Sequence, residues 1–197
     1  DETANNYDSD SLVDDGSCNH NHYYSNIEIT GVSEAVIFSS TISILDVGDE
    51  IGIFDSNGLL SQDCNNSEYG ELLVGSGVWN GEQLSLVAIS SIDFCSFDDG
   101  YQLPGFVEGN SIIIKIWDAS ESVEYNTLLN ITAGDPDGVF EETSFVVISE
   151  LTFTIDGCTD VAACNYNTDA NANDGSCVFA EENYDCDGNC TADTDCN

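Results

Sequence analysis

The chain has 197 residues, of which 38 are Asp or Glu and only one is Lys or Arg, so its formal net charge is -37. That balance excludes nucleic acid and anionic membrane surfaces as partners, since both are met by displacing counterions with Lys and Arg. It also means that most carboxylates must find their cations outside the chain. Hydrophobic residues still make up 41% and aromatic residues 10%, enough for a packed core, so the chain is read as folded. A generic acidic surface that keeps a protein soluble by repulsion is the alternative to bound cations.

Residues 1–22 are polar and rich in Asn, Asp and Ser. Asp8, Asp10, Asp14 and Asp15 precede Gly16 at alternating or adjacent positions. A hard cation such as calcium takes six to eight oxygens, roughly what a loop with a ligand at every second residue and a relieving glycine can offer. An ordinary Asx-rich turn uses the same residues. The segment is also half of an internal repeat. Moved by 159 positions, Asn6-Tyr7 falls on Asn165-Tyr166 and Asp15-Gly16-Ser17-Cys18 falls on Asp174-Gly175-Ser176-Cys177. Matching modules at both ends mark an array unit more than a lone enzyme domain. In the first copy Asn5 stands where the second has Cys164, and the counterpart of Cys158 would precede Asp1, which is expected to be a processed terminus or the edge of a fragment.

Residues 23–156 change character, with short alternating runs of β-branched and aromatic residues bounded by Gly, Asn and Asp. Ile112, Ile114 and Ile116 are expected on one strand face, as are Leu151, Phe153 and Ile155 on another. Asn80-Gly81 between two apolar runs predicts a hairpin. Asp55-Ser56-Asn57-Gly58 and Asp98-Asp99-Gly100 predict further turns. About eight to ten strands at this spacing point to an antiparallel two-sheet β-sandwich. Cys64 and Cys95 are the only cysteines of this body and are paired, a bridge worth roughly 3–4 kcal/mol in the chain-entropy model. Lys115, on the strand face of Ile113 and Trp117, reads as a structural ion pair, since nothing near it in sequence marks a nucleophilic site.

Six of the nine cysteines fall in residues 157–197, a pattern of an oxidising, exported setting. Zinc competes weakly, because no Cys-x-x-Cys pair faces another and His20 and His22 stand alone beside Cys18. No run of 18 apolar residues offers a membrane span. No phosphate loop, nucleophile elbow or Ser/Cys-His order occurs, and no acid pair stands out among so many carboxylates, so no enzyme is expected.

The motif GCTDVAACNYNTDANANDGSC at 157–177, followed by YDCDGNC and DTDC, resembles short Cys- and Asp-rich repeats of large exported surface proteins of Bacteroidota and other aquatic bacteria. GDEIGIFDSNG, GSGVWNGE and IIIKIWD are similar to the β-sandwich repeats that accompany them, often in proteins exported by the type IX route. Within the tail, Asp185, Asp187, Asn189, Asp193 and Asp195 around Gly188 resemble the calcium loops of thrombospondin type 3 repeats, and Asp169, Asn171, Asn173 and Asp174 form a less charged row before Gly175. Such segments, with few apolar residues, are expected to depend on metal and disulfides for order. Because the N-terminal copy lacks the middle cysteine, Cys158 is expected with Cys177, Cys164 with Cys186 and Cys190 with Cys196, leaving Cys18 as a free or intermolecular thiol. Asn65, Asn130 and Asn189 stand in glycosylation triplets, and Asn65 and Asn130 are favoured because Asn189 would compete as a metal ligand.

The expected fold is therefore all-β, a sandwich at 23–156 between an incomplete acidic module at 1–22 and a disulfide-rich, calcium-binding loop module at 157–197. The expected role is a structural subunit of an extracellular or cell-surface assembly, a filament, sheath or adhesin stalk built from copies joined head-to-tail. The alternative is a carbohydrate-binding or adhesion module that meets surface glycans through Tyr23, Tyr24, Tyr69, Tyr101 and Trp117.

Overall fold

The computed structural model describes residues 22–134, 137–141 and 145–191. These form two compact units, the first ending at Leu151 and the second starting at Thr152. Among the described residues there is no helix. The strands are β1 (Ser33–Phe38), β2 (Glu50–Leu59), β3 (Tyr69–Val78), β4 (Leu84–Ile89), β5 (Ile92–Asp93), β6 (Gln102–Leu103), β7 (Ile112–Asp118), β8 (Val123–Ala133), β9 (Phe145–Phe153), β10 (Asp156–Gly157) and β11 (Ala172–Asn173).

Seven of them make one sheet in the order β3-β2-β7-β8-β9-β1-β4. The expectation of two separate antiparallel sheets is corrected on two counts. The hydrogen-bonded order is continuous, and β1 pairs with β9 in parallel, Ala35 opposite Phe145 through Phe38 opposite Ile148. The sheet is mixed and curls until its edge strands β3 and β4 approach each other, nearly closing a barrel. Glycines permit that approach: a Cβ on Gly75 would meet the Val87 carbonyl oxygen at 2.6 Å.

Alternation decides what lies inside the curl. Ile112, Ile114 and Ile116 of β7 are buried, as are Ile51 and Ile53 of β2, Val36 and Phe38 of β1, and Val146 and Ile148 of β9. Period-two burial is what a strand with one covered face requires. Phe106 and Phe140, both fully buried, stack at 4.4 Å from loops that close the interior. The alternation expected at the end of β9 fades: Leu151 is buried, Phe153 is half-buried and Ile155 is exposed.

Two predicted turns are not turns. Asp55-Ser56-Asn57-Gly58 lies inside β2, where the pairing with β3 slips between Asp55 and Gly58. The irregularity exists because Asp55 is fully buried and its carboxylate accepts the N–H groups of Asn57 at 2.7 Å and Val107 at 2.7 Å, with the Asn110 amide at 3.2 Å. A bulge re-aims one side chain at the expense of local pairing. Asn80-Gly81 does connect β3 to β4, but those strands are not hydrogen-bonded neighbours, since β3 pairs with β2 and β4 with β1. Trp79, only 2% exposed, prolongs the β2–β3 pairing by donating to Asp49 O at 2.8 Å and accepting from Gly48 N at 2.9 Å. Its burial holds the chain on the β2 side, so the link spans the two edges of the sheet and does not fold a hairpin. Asp98-Asp99-Gly100 is a turn as expected, with Asp99 at φ 58.

The Cys64–Cys95 bridge, with Cα atoms 5.4 Å apart, joins the loop after β2 to the one after β5. Lys115 pairs with Glu71 and lies 4.7 Å above the Phe54 ring.

Asp55→Ala should cost about 2–4 kcal/mol, because it strands buried amides that had charged acceptors. The urea midpoint measures it. A midpoint that does not move would show that the loop at Val107–Asn110 is held by something else.

Candidate functional site

The second unit repeats the motif that opens the chain, and its local order follows from a few residues. Cys158 is bonded to Cys177 with Cα atoms 4.8 Å apart, and Cys164 to Cys186 at 5.1 Å. These are the pairs that comparison of the two motif copies suggests. Cys190 is likewise disulfide-bonded, and its expected partner Cys196 lies outside the described residues. Together with Cys64–Cys95, the bridges point to an oxidising, non-cytoplasmic location.

Asn165 explains why Asn-Tyr and Asp-Gly-Ser-Cys keep a fixed separation. Its side chain donates to Ser176 O at 2.7 Å and accepts from Val178 N at 2.8 Å, so it grips the backbone on both sides of Cys177. Tyr166 bridges alongside Cys158, and Asn167 N donates to Cys158 O at 2.9 Å. Gly157 is needed where β10 packs, since a Cβ there would meet Asn167 Nδ2 at 3.0 Å and the Ala170 methyl at 3.1 Å. Sequence reasoning recognised the shared Asn-Tyr but gave Asn165 no role. A polar residue repeated at constant distance from a cysteine was the available signal.

The proposed metal ligands divide by what their oxygens already do. Asn171 is not aimed into a loop: its Oδ1 accepts from Ile155 N at 2.7 Å and its Nδ2 donates to Phe153 O at 2.9 Å. It acts as a partner to the backbone at 153–155. Asn173 accepts from Gly175 N at 3.0 Å and Asp174 from Ser176 N at 2.8 Å, two successive Asx turns around Gly175 at φ 76. Asp169 is exposed, its own N–H donating to Asn167 Oδ1 at 3.0 Å.

Asp185, Asp187 and Asn189 share one loop. Asp185 Oδ1 accepts from Asn189 N at 2.7 Å and Asp187 N at 3.0 Å, and its Oδ2 accepts from Asn189 Nδ2 at 3.1 Å. Gly188 completes the turn at φ 78. Among the described residues no three acidic, His or Cys side chains converge as a metal-holding group. Asp8, Asp10, Asp14, Asp15, Cys18, Asp193 and Asp195 lie outside the described residues.

The aromatic set for a glycan face does not assemble into one surface. Tyr24 is buried, 5% exposed, and its hydroxyl donates to Glu124 at 3.0 Å. Burial and the Glu124 carboxylate together hold its phenol well above the ordinary range. Tyr23 stacks flat on Trp117, centroids 3.9 Å apart, with half its surface exposed. Tyr101 packs edge-on against Phe94 at 5.5 Å, and Tyr69 is half exposed on β3. Asn65 and Asn130 are both exposed, as a glycosylation acceptor must be.

No family model, curated protein or solved structure matches the chain.

The hydrogen bond from Ser176 lowers the Asp174 carboxyl below the usual Asp range, and the Asn189 backbone N–H does the same for Asp185. A depressed folded value means that stabilisation is complete above the unfolded Asp pKa and is lost as pH falls through the lower folded value. Side-chain carboxyl NMR should therefore show both residues titrating below an exposed Asp. Amide protection at Ser176, Asp187 and Asn189 should fade over that same acidic interval. Titration at the ordinary value would mean that these turns are not held in solution.

Proposed function

We propose that the chain is a structural subunit of an extracellular assembly, with copies joined head-to-tail and their small modules rigidified by calcium. The supporting observation is the makeup of the second unit. From Thr152 to Thr191 it carries Asp156, Asp160, Asp169, Asp174, Glu181, Glu182, Asp185 and Asp187, with no Lys, Arg or His. Covalent bridges and Asx turns hold it in place of a sizeable core, since Gly157, Cys158 and Ala163 are its only buried described residues. A fold of that kind gains most from a ligand that neutralises charge. All-oxygen donors on a tight turn suit calcium, and an oxygen that accepts a single amide, as Asp185 Oδ2 does from Asn189 Nδ2, keeps a lone pair for a cation. The loop at Asp185–Asn189 and the turn at Asn173–Asp174 would supply part of a coordination shell.

An array subunit also fits a motif that occurs at both ends of the chain, because a self-sufficient binding module has no need of matching termini. A glycan-binding or adhesion module is the second reading, and the flat Tyr23–Trp117 pair is the observation that favours it, since aromatic faces stack on sugar rings.

Sedimentation and electron microscopy in calcium and in chelator test the proposal. Calcium should give linear polymers that shorten or dissociate on chelation, and hydrogen exchange after chelation should rise first in residues 152–191 while the large sheet stays protected. A protein that sediments as a monomer in calcium overturns the assembly reading. Equal protection of both units after chelation overturns the calcium reading.

A further inference from the structure

Residues 22–32 form no strand, yet they cross the one place where the curled sheet is open. The strap starts on the outer face of β2, where Glu50 accepts the N–H groups of both Tyr23 and Tyr24 at 3.1 Å. Tyr24 lies flush on Gly52, so close that a Cβ there would meet its ring at 2.9 Å, and its ring meets Phe54 edge-on at 5.6 Å. Ser76 of β3 donates to Tyr24 O at 3.3 Å. The strap then passes β3: Asn26, Ile27 and Glu28 line a cavity of about 190 Å³ with Val74 of β3 and Ile89 of β4. It lands beyond β4, where the Thr30 hydroxyl donates to Ser90 O at 2.6 Å and Ser90 N donates to Val32 O at 2.9 Å. The strap thus bridges the seam that β3 and β4 do not close by hydrogen bonds of their own.

We propose that this strap is the exchanged element of the assembly: Tyr23–Thr30 of one copy occupies the β2-β3-β4 path of the next, with Gly31 as the hinge. The inference rests on the head-to-tail reading and names its joint. The occupant is set by what already lies there, because a second copy carries the same strap and would make every contact just described. Gly31, at φ 94 with open space where a side chain would be, separates the strap from β1. Asn26, at φ 68, bends the strap itself. Glycine and asparagine are the residues that adopt such bends most readily, so Gly31 and Asn26 are the points at which the strap can redirect.

The strap is attached by side-chain hydrogen bonds, by the ring contacts of Tyr23 with Trp117 and Tyr24 with Phe54, and by one backbone bond from Ser90 N to Val32 O, and it forms no strand along 25–32. Release therefore leaves the seven-stranded order intact. Each copy gives one strap and receives one, and such a heterologous contact propagates unless its rotation closes a ring. The contacts are the same in both forms, so the balance between them depends on the hinge and on protein concentration.

A photo-cross-linking residue at position 23, Tyr23→benzoylphenylalanine, sits against Trp117 and reports which chain owns the groove. Isotopically heavy and light copies, each full length, are mixed in equal amounts, concentrated in calcium, irradiated and digested. Exchange predicts that about half of the strap-to-groove cross-linked peptides in the assembled fraction join a heavy to a light chain, as random donation requires. Mixed cross-links in polymers support both readings. Mixed cross-links confined to small closed oligomers keep the exchange and overturn the fibre. Polymers with only same-isotope cross-links overturn the exchange and leave the fibre standing, and same-isotope cross-links without any assembly overturn both.

Discussion

Carboxylates bonded to backbone amides are the interaction on which this molecule depends. A chain with one basic residue in 197 cannot bury acids as salt bridges, yet Glu34, Asp49, Glu50 and Asp55 are all buried. Each is met by peptide N–H groups. Glu34 accepts from Glu141 N at 2.9 Å, and Asp49 from Asp46 N at 2.8 Å and Ala119 N at 3.2 Å. Glu50 holds the strap, and Asp55 holds the loop before β7. Burying an unpaired carboxylate costs several kcal/mol, so amides must be delivered to it by neighbouring segments. Charge-assisted bonds are roughly twice as strong as neutral ones, which makes the arrangement tenable without cations. The acids therefore act as the fasteners between strands and loops.

The same chemistry appears on a smaller scale in the second unit, but there it faces solvent. Asp174 and Asp185 close turns on their own following amides, while the bridges Cys158–Cys177 and Cys164–Cys186 supply what a core would otherwise supply. A bridge over 19 or 22 residues acts mainly by limiting the unfolded chain, worth about 3 kcal/mol in the chain-entropy model. The two units thus solve one compositional problem differently, one by burying its acids under amides and the other by cross-linking around exposed ones.

What could be read from the sequence was whatever depended on near neighbours. Alternation in β7 was legible because Ile112, Ile114 and Ile116 carry their own face assignment. Cys64–Cys95 was legible because these are the only cysteines of residues 23–156, and Cys158–Cys177 and Cys164–Cys186 were legible because two unequal motif copies show which cysteine is dispensable. Asp55–Gly58 was misread as a turn because its bulge is dictated by Val107 and Asn110, far along the chain. Asn80-Gly81 was misread as a hairpin because a strong local turn signal was outweighed by burial of Trp79, which no turn rule includes. Pairing of β1 with β9 in parallel joins segments more than a hundred residues apart and leaves no local trace. Tyr24 was taken for an exposed aromatic because nothing in HYYSNIEIT announces that Gly52 provides a bare patch for its ring. The Asp and Asn rows of the second unit were legible as residue types, and their division between turns, strand clamps and a shared loop was not.

The parallel pair β1–β9 has a mechanical consequence. The first and last long strands of the large sheet lie side by side and run the same way, from Ala35 opposite Phe145 to Phe38 opposite Ile148, with Ser39 N bonded to Ile148 O at 2.9 Å. The chain enters this pair at the start of β1 and leaves it at the end of β9, so tension along the chain pulls the two strands lengthwise past each other. Every rung then carries load at once, where a pull on one end of an antiparallel pair would open the rungs one by one. Resistance to such a pull is governed by the unfolding rate more than by the equilibrium stability. Lengthwise separation of β1 from β9 therefore requires the simultaneous loss of the ladder from Ala35 opposite Phe145 to Phe38 opposite Ile148.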